Sequence, residues 1–258
     1  MNKIAPENIP RIMPDGVKCV IKRGNHLLMI HQSPPALRSL KWIRADSPAP
    51  YGPGCTYRDV TIALPYVITF AVFQPLPAGG HTLSPWNECF FSRRALLGMD
   101  DQLCYPGLLN CSKFQDGDHR STSAWICTQK LNYRQLMLEK NHDLRIVKGL
   151  SALLNCLFES GFNYSSEQHE GNSWYTVTKD RDQRISTVEN WEKASEQNPL
   201  FVLDVPWIET PVPVSEIVDR VFNMNNAVNN TVTTAADLER VVVNETATPR
   251  KPKGKVVT

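Results

Sequence analysis

The groups best suited to covalent chemistry in this chain are its seven cysteines: Cys19, Cys55, Cys89, Cys104, Cys111, Cys127 and Cys156. A thiolate serves as a nucleophile or as a metal ligand. The number is odd, the spacings are irregular and no C-x-x-C pair occurs, so neither a disulfide framework nor a zinc ribbon is expected. Several of the cysteines lie in apolar runs, where a free thiol behaves as a small hydrophobe. A reducing compartment, the cytoplasm, fits them best. Cys127 closes the apolar run Ala124-Trp125-Ile126, and Cys111 directly follows Asn110. By residue type alone Cys127 reads first as a buried strand thiol and second as a nucleophile, with Cys111 as its rival. Asn110, after Pro106 and Gly107, reads first as a turn residue.

Other chemistries find less support. The six histidines (His26, His31, His81, His119, His142 and His169) are scattered, and none sits one helical turn from another His or Cys. They read as exposed or hydrogen-bonded residues, and no metal is expected. The carboxylate pairs Asp100/Asp101 and Asp116/Asp118 read as solvated loop residues that would at most assist an incoming amine. Walker A, G-x-G-x-x-G, H-E-x-x-H and G-x-S-x-G patterns are absent, so no cofactor is expected. Net charge is +2, which gives no reason to expect a dedicated polyanion binder. Nucleic acid is expected at most as a weak contact of the basic run Arg250–Lys255.

Such residues need elements to position them. Val17–Ile21 and Leu27–Ile30 flank Arg23-Gly24-Asn25 and predict a hairpin. Ser33–Gly54 is rich in Pro and Gly and predicts mostly loop, with a helical turn near Ala36–Trp42. Leu64–Phe73 is apolar without alternation, as expected of a central strand covered on both faces. Asn87–Ser92 predicts a second strand antiparallel to it, and Ala124–Cys127 a short one. Asp143–Phe158 predicts an amphipathic helix with Leu144, Val147, Leu150, Leu154, Leu157 and Phe158 on its stripe. Trp174–Val177 reads as a strand, Thr187–Gln197 as a polar helix and Phe201–Ile208 as a packed segment. The most apolar stretch, Val60–Phe73, contains Pro65 and is too short to span a membrane. Met1–Pro14 has no apolar core typical of a signal peptide.

Residues 64–158 therefore present a strong strand, a turn, a second strand and a long loop ending in Leu108-Leu109-Asn110. A polar stretch, the Trp125-Ile126-Cys127 segment and an amphipathic helix follow. This order resembles the catalytic core of ubiquitin-conjugating enzymes, where a strand meander leads to a His-Pro-Asn motif, a nucleophilic Cys and helices. It looks most like the divergent branch of bacteria and mobile elements that includes the PRTRC system protein B. There the motif is a looser Pro-Asn followed by Val-Cys. Leu108 and Leu109 stand where the family's His and Pro would be. The Asn-to-Cys separation is longer, and a hairpin replaces the usual first helix.

The resemblance implies an α+β fold: an antiparallel β-meander packed against a C-terminal helix, UBC-like, with an irregular C-terminal extension. Residues 1–14 form an arm, 15–165 the domain, 166–209 a packed extension and 210–258 a disordered tail, with a short helix near Ser215–Met224 interrupting it. It also implies acyl transfer. Carrying an acyl group between proteins requires a nucleophile whose adduct stays reactive, and a Cys thioester meets that need. Cys127 would be that thiol, and Asn110 would donate to the oxyanion formed on attack. The implied partners are an activating enzyme and a ubiquitin-like modifier, with no membrane. The competing expectation is a non-catalytic structural or interaction protein of a phage, plasmid or other mobile element.

Overall fold

The computed structural model describes residues 10–44, 46–47, 54–114, 122–128, 131–159, 161–162 and 173–229. The first hairpin forms where the sequence predicts it. β1 (Val17–Arg23) and β2 (His26–Ser33) pair antiparallel through Arg23↔His26, and Gly24 turns the chain with a φ of 57°. That left-handed conformation suits glycine because it has no Cβ to clash.

β5 (Tyr66–Pro75) is central, with β2 on one edge and β7 (Glu88–Ser92) on the other, both antiparallel. The main sheet continues to β10 (Ser123–Ile126) and β9 (Cys111–Phe114), giving the order β1-β2-β5-β7-β10-β9. β6 (His81–Leu83) adds to β5, and β8 (Gln102–Cys104) links β7 to β12 (Glu209–Pro213). The protein is thus mixed α/β, with a mostly antiparallel sheet and several helices.

The apolar run of β5 is explained by cover on both sides. Side chains alternate along a strand, so Phe70 and Phe73 point to opposite faces. Glu88 lies opposite Phe70, and its carboxylate binds Arg220 of α5 (Val214–Asn229). On the other face, a Cβ on Gly149 would sit 2.9 Å from the Phe73 ring, which brings α2 (His142–Phe158) against the sheet. The missing side chain at Gly149 sets the helix's rotation. Its buried face carries Arg145, Ile146, Gly149, Leu150, Leu153, Cys156, Leu157 and Phe158. Leu144 is exposed, while Val147 and Leu154 are only partly buried, so the predicted stripe is turned from the true one.

Three further expectations are corrected. Ala36–Ile43, expected to be loop or a helical turn, is strand β3, paired antiparallel with β4 (Tyr57–Leu64) in a second sheet that β11 (Gly161–Phe162) joins. Pro34 and Pro35 precede the strand rather than interrupt it, and Leu40 and Trp42 point inward at period two. Trp174–Thr178 is a helix, α3, because Ser173 caps it by accepting from the Thr176 amide. Residues 209–229, expected to lie largely in the tail, are β12 and α5; the short helix expected near Ser215–Met224 does form, but it is longer and packed on the core. Val214, Ile217, Val218, Val221 and Phe222 recur at helical spacing and are all buried. The rest of the expected tail, 230–258, lies outside the described residues, as does most of the 1–14 arm.

α4 (Val188–Gln197) completes the second sheet. The Ala63 amide donates to Ser195, the Thr61 amide to Glu192, and the Trp191 indole donates to the Ala63 carbonyl. Side chains of α4 thereby satisfy the outer edge of β4, which would otherwise be open to strand pairing. No helix among the described residues is long and apolar enough to cross a membrane.

Candidate active site

The β9–β10 hairpin determines where Asn110 and Cys127 lie. Its rungs run Ser123↔Phe114, Ala124↔Lys113, Trp125↔Ser112 and Ile126↔Cys111. The next rung is Cys127 against Asn110, and the Cys127 amide donates to the Asn110 carbonyl at 3.0 Å. Two residues 17 positions apart in the chain are thereby held side by side at the end of the ladder.

Their side chains have different surroundings. Cys127 is partly exposed and packs at the margin of the core. Asn110 is buried, and its Nδ2 donates to the Leu157 carbonyl at 3.0 Å. Leu157 belongs to the last turn of α2, where carbonyls lack partners within the helix. Asn110 therefore ties the helix end to the start of β9, across the ladder from Cys127. One of the two N–H groups of its carboxamide is committed to this bond, so its first role is positioning. Cys156, also on α2, donates its thiol to the Cys127 carbonyl at 3.4 Å.

The rival thiol is unsuited to attack. Cys111 is fully buried, and burial, then its hydrogen bond with Cys89, pushes its pKa well up. Cys104 is likewise pushed up to about 11 by burial. A thiol held neutral in this way is inert. Asp101 accepts from the Leu97 and Gly98 amides and from Arg94, which holds its pKa down and fixes the loop. Asp100 is exposed, and Asp116, Asp118 and the basic Arg250–Lys255 run lie outside the described residues.

Sequence reasoning missed Thr128 and Tyr133. The Tyr133 hydroxyl donates to Thr128 Oγ1 at 3.1 Å, and both residues are buried. Burial raises the Tyr133 pKa, so the phenol stays a neutral donor. This bond anchors the segment just after Cys127 to α1 (Tyr133–Leu138). No sequence pattern marks it, because Thr128 and Tyr133 lie in what reads as a polar exit. Among the described residues no group of three or more His, Cys, Asp or Glu is placed to hold a metal ion.

Comparison with protein-family profiles, with curated proteins and with solved structures finds no match to this chain.

Proposed function

We propose that the chain is a ubiquitin-conjugating-enzyme-like protein of the cytoplasm, in which Cys127 carries a ubiquitin-like modifier as a thioester. The observation that carries this reading is the pairing of Cys127 with Asn110 at 3.0 Å through the backbone. It sets the backbone of a partly exposed cysteine against that of an asparagine at the end of a hairpin. The strand order β1-β2-β5-β7 also supports a UBC-like meander, with β3 and β4 as an excursion between its second and third strands.

The chemistry follows from the thiol. Cys127 Sγ attacks the carbonyl carbon of a modifier joined as a thioester to an activating enzyme. A new C–S bond forms, the old one breaks, and the activating enzyme leaves as its thiolate. A neutral amine of the target then attacks the same carbon: the C–N bond forms, the C–S bond to Cys127 breaks, Cys127 leaves as a thiolate and the surplus proton on nitrogen passes to solvent. In each step the carbonyl oxygen gains charge, and on this reading its donor is the second N–H of the buried Asn110 carboxamide, whose other N–H is held by the Leu157 carbonyl.

The second reading is a non-catalytic scaffold or interaction protein of a mobile element. The bond from Asn110 to Leu157 favours it, because that carboxamide already has a structural task. One experiment separates the two. The full chain is incubated with ATP, an activating enzyme and a ubiquitin-like modifier, and intact mass is read with and without dithiothreitol. A thiol-sensitive adduct lost in Cys127→Ala supports the carrier. No adduct with any activating enzyme, or one that survives Cys127→Ala, removes Cys127 as the nucleophile.

A further inference from the structure

Arg145 is the least expected residue on the buried face of α2. Its exposure is only 7 %, and its Nε is buried with no hydrogen-bond partner. No carboxylate among the described residues forms an ion pair with it. Glu139, whose charge reaches it, is bonded to Lys148. Burial lowers the Arg145 pKa, as expected of a cation removed from water without a counter-ion. Leaving such a charge unpaired is costly.

The guanidinium also lies at a particular place. Helical side chains lean toward the helix N-terminus, which carries Arg145 back under the first turn. There Arg145 Nη2 lies 3.3 Å, and His142 Cδ2 2.9 Å, from where a Cβ on Gly80 would stand. Gly79 and Gly80 have φ of 91° and 78°, so this turn presents bare backbone to the two side chains. Asn141 caps the Leu144 amide, and the His142 and Asp143 amides remain at the open, positive end of a 17-residue helix.

We infer that Arg145 and the first turn of α2 bind a phosphate group beside the Gly79-Gly80 turn, with the His142 ring, whose Nε2 is given to His81, as one wall of the site. A buried guanidinium needs an anion. Donors from a side-chain fork and from helix amides suit a tetrahedral group with several oxygens better than a planar carboxylate. His142 is hydrogen-bonded through Nε2 to His81 Nδ1 at 3.1 Å, which orients its ring beside Arg145. The Asp143 carboxylate, 3.6 Å from His142 Nδ1, is the one acidic group in the first turn. It holds the other side of that ring. This site is independent of the thioester reading.

The test is amide NMR of the full chain titrated with inorganic phosphate at constant ionic strength set with chloride. A saturable shift confined to Gly79, Gly80, His142 and Asp143 is expected. Arg145→Gln should weaken it about tenfold or more, the worth of one charge-assisted hydrogen bond. Arg145→Lys, which keeps the charge but not the fork, should fold and weaken it partway. Ser151→Ala, on the exposed face of the same helix, should bind as the parent does. A parallel arm with phenyl phosphate tells free phosphate from an ester: a response to both assigns the phosphate of a larger ligand, and a response to inorganic phosphate alone assigns the free ion. An equal response to acetate, or Arg145→Lys and Arg145→Gln both binding as the parent does, overturns the proposal.

Discussion

The Arg220 guanidinium rests 2.5 Å from the Glu88 carboxylate, with the two side chains only 6 % and 0 % exposed. Glu88 also accepts from the Trp86 indole and the Ala124 amide, so its oxygens are well occupied. The pair joins α5, near the end of the described chain, to the middle of the sheet and to β10, which leads to Cys127. Removing one partner leaves the other charge buried and unpaired, which costs about 3–5 kcal/mol. Arg220→Ala and Glu88→Ala should each lower stability by about that much in urea unfolding. A loss under about 1 kcal/mol would mean that α5 is not held by this pair.

That bond also explains what the sequence could and could not tell. The strand Tyr66–Pro75 was legible as an unbroken apolar run, and the helix His142–Phe158 from apolar residues recurring at three and four, although the stripe so drawn was turned from the buried face. Of α5 only a short helix near Ser215–Met224 was legible, and its packing on the sheet was not. Its buried Val and Phe residues are interleaved with Asn, Glu and Asp, and its prolines come just before it, so composition reads as tail. β3 was hidden in the same way by flanking prolines. At the candidate site, the residue types of Cys127 and Asn110 were visible, but their direct pairing depends on the β9–β10 register. No periodicity encodes the bond from Asn110 to the end of α2, or the meeting of Arg145 with the Gly79-Gly80 turn. Both arise only when elements distant in sequence pack together.

Thiol reactivity gives the second prediction. In native protein exposed briefly to N-ethylmaleimide, Cys127 should be alkylated ahead of Cys89, Cys104 and Cys111, which are buried. Peptide mapping of the labelled chain reads the order. In urea all of them should react alike, since only the fold separates them. Early labelling of Cys111 in native protein would show that the rung at Ile126↔Cys111 opens, and would displace Cys127 as the preferred thiol.

Asn110→Ala supplies the third. It removes the bond to the Leu157 carbonyl and leaves that helix-end acceptor buried, at a cost of about 1–3 kcal/mol. If positioning is its only role, any thioester formed on Cys127 should still form, with a lower melting temperature as the main effect. If its second N–H also stabilises the oxyanion, transfer to an amine should fall about 10²–10³-fold at a temperature where the variant is folded. Unchanged stability would contradict the tie to α2.

The pH dependence of stability follows from His81. It is 3 % exposed, accepts from His142 and donates through Nε2 to the Asn25 carbonyl at 2.8 Å. Burial, opposed by that carbonyl and aided by the nearby charges of His142, His26 and Lys22, lowers its pKa to about 4. Burial lowers His26, His31 and His142 in the same direction, with Asp143 opposing and Arg145 aiding at His142. Because the folded state resists protonation, the unfolded chain takes up protons first as pH falls below about 6.5. Stability should be full above that point and decline steadily toward pH 4. One pKa unit corresponds to about 1.4 kcal/mol. His81→Gln should flatten the decline in urea midpoints measured across this window, and an unaltered slope would assign it to other groups.

Gly149 offers a test in which two effects oppose each other. Alanine in a helix interior is favoured over glycine by about 1 kcal/mol. Here, however, the new Cβ would lie 2.9 Å from Phe73 Cε1 and 3.5 Å from Leu83 Cβ. Phe73 is fully buried and cannot swing aside, so overpacking of about 1–3 kcal/mol should win. Gly149→Ala is therefore expected to destabilise the chain, and pairing it with Phe73→Leu should recover part of the loss by making room. If Gly149→Ala alone raised the urea midpoint, α2 would not approach the sheet as closely as this contact requires. The tie between its last turn and Asn110 would then need a different geometry.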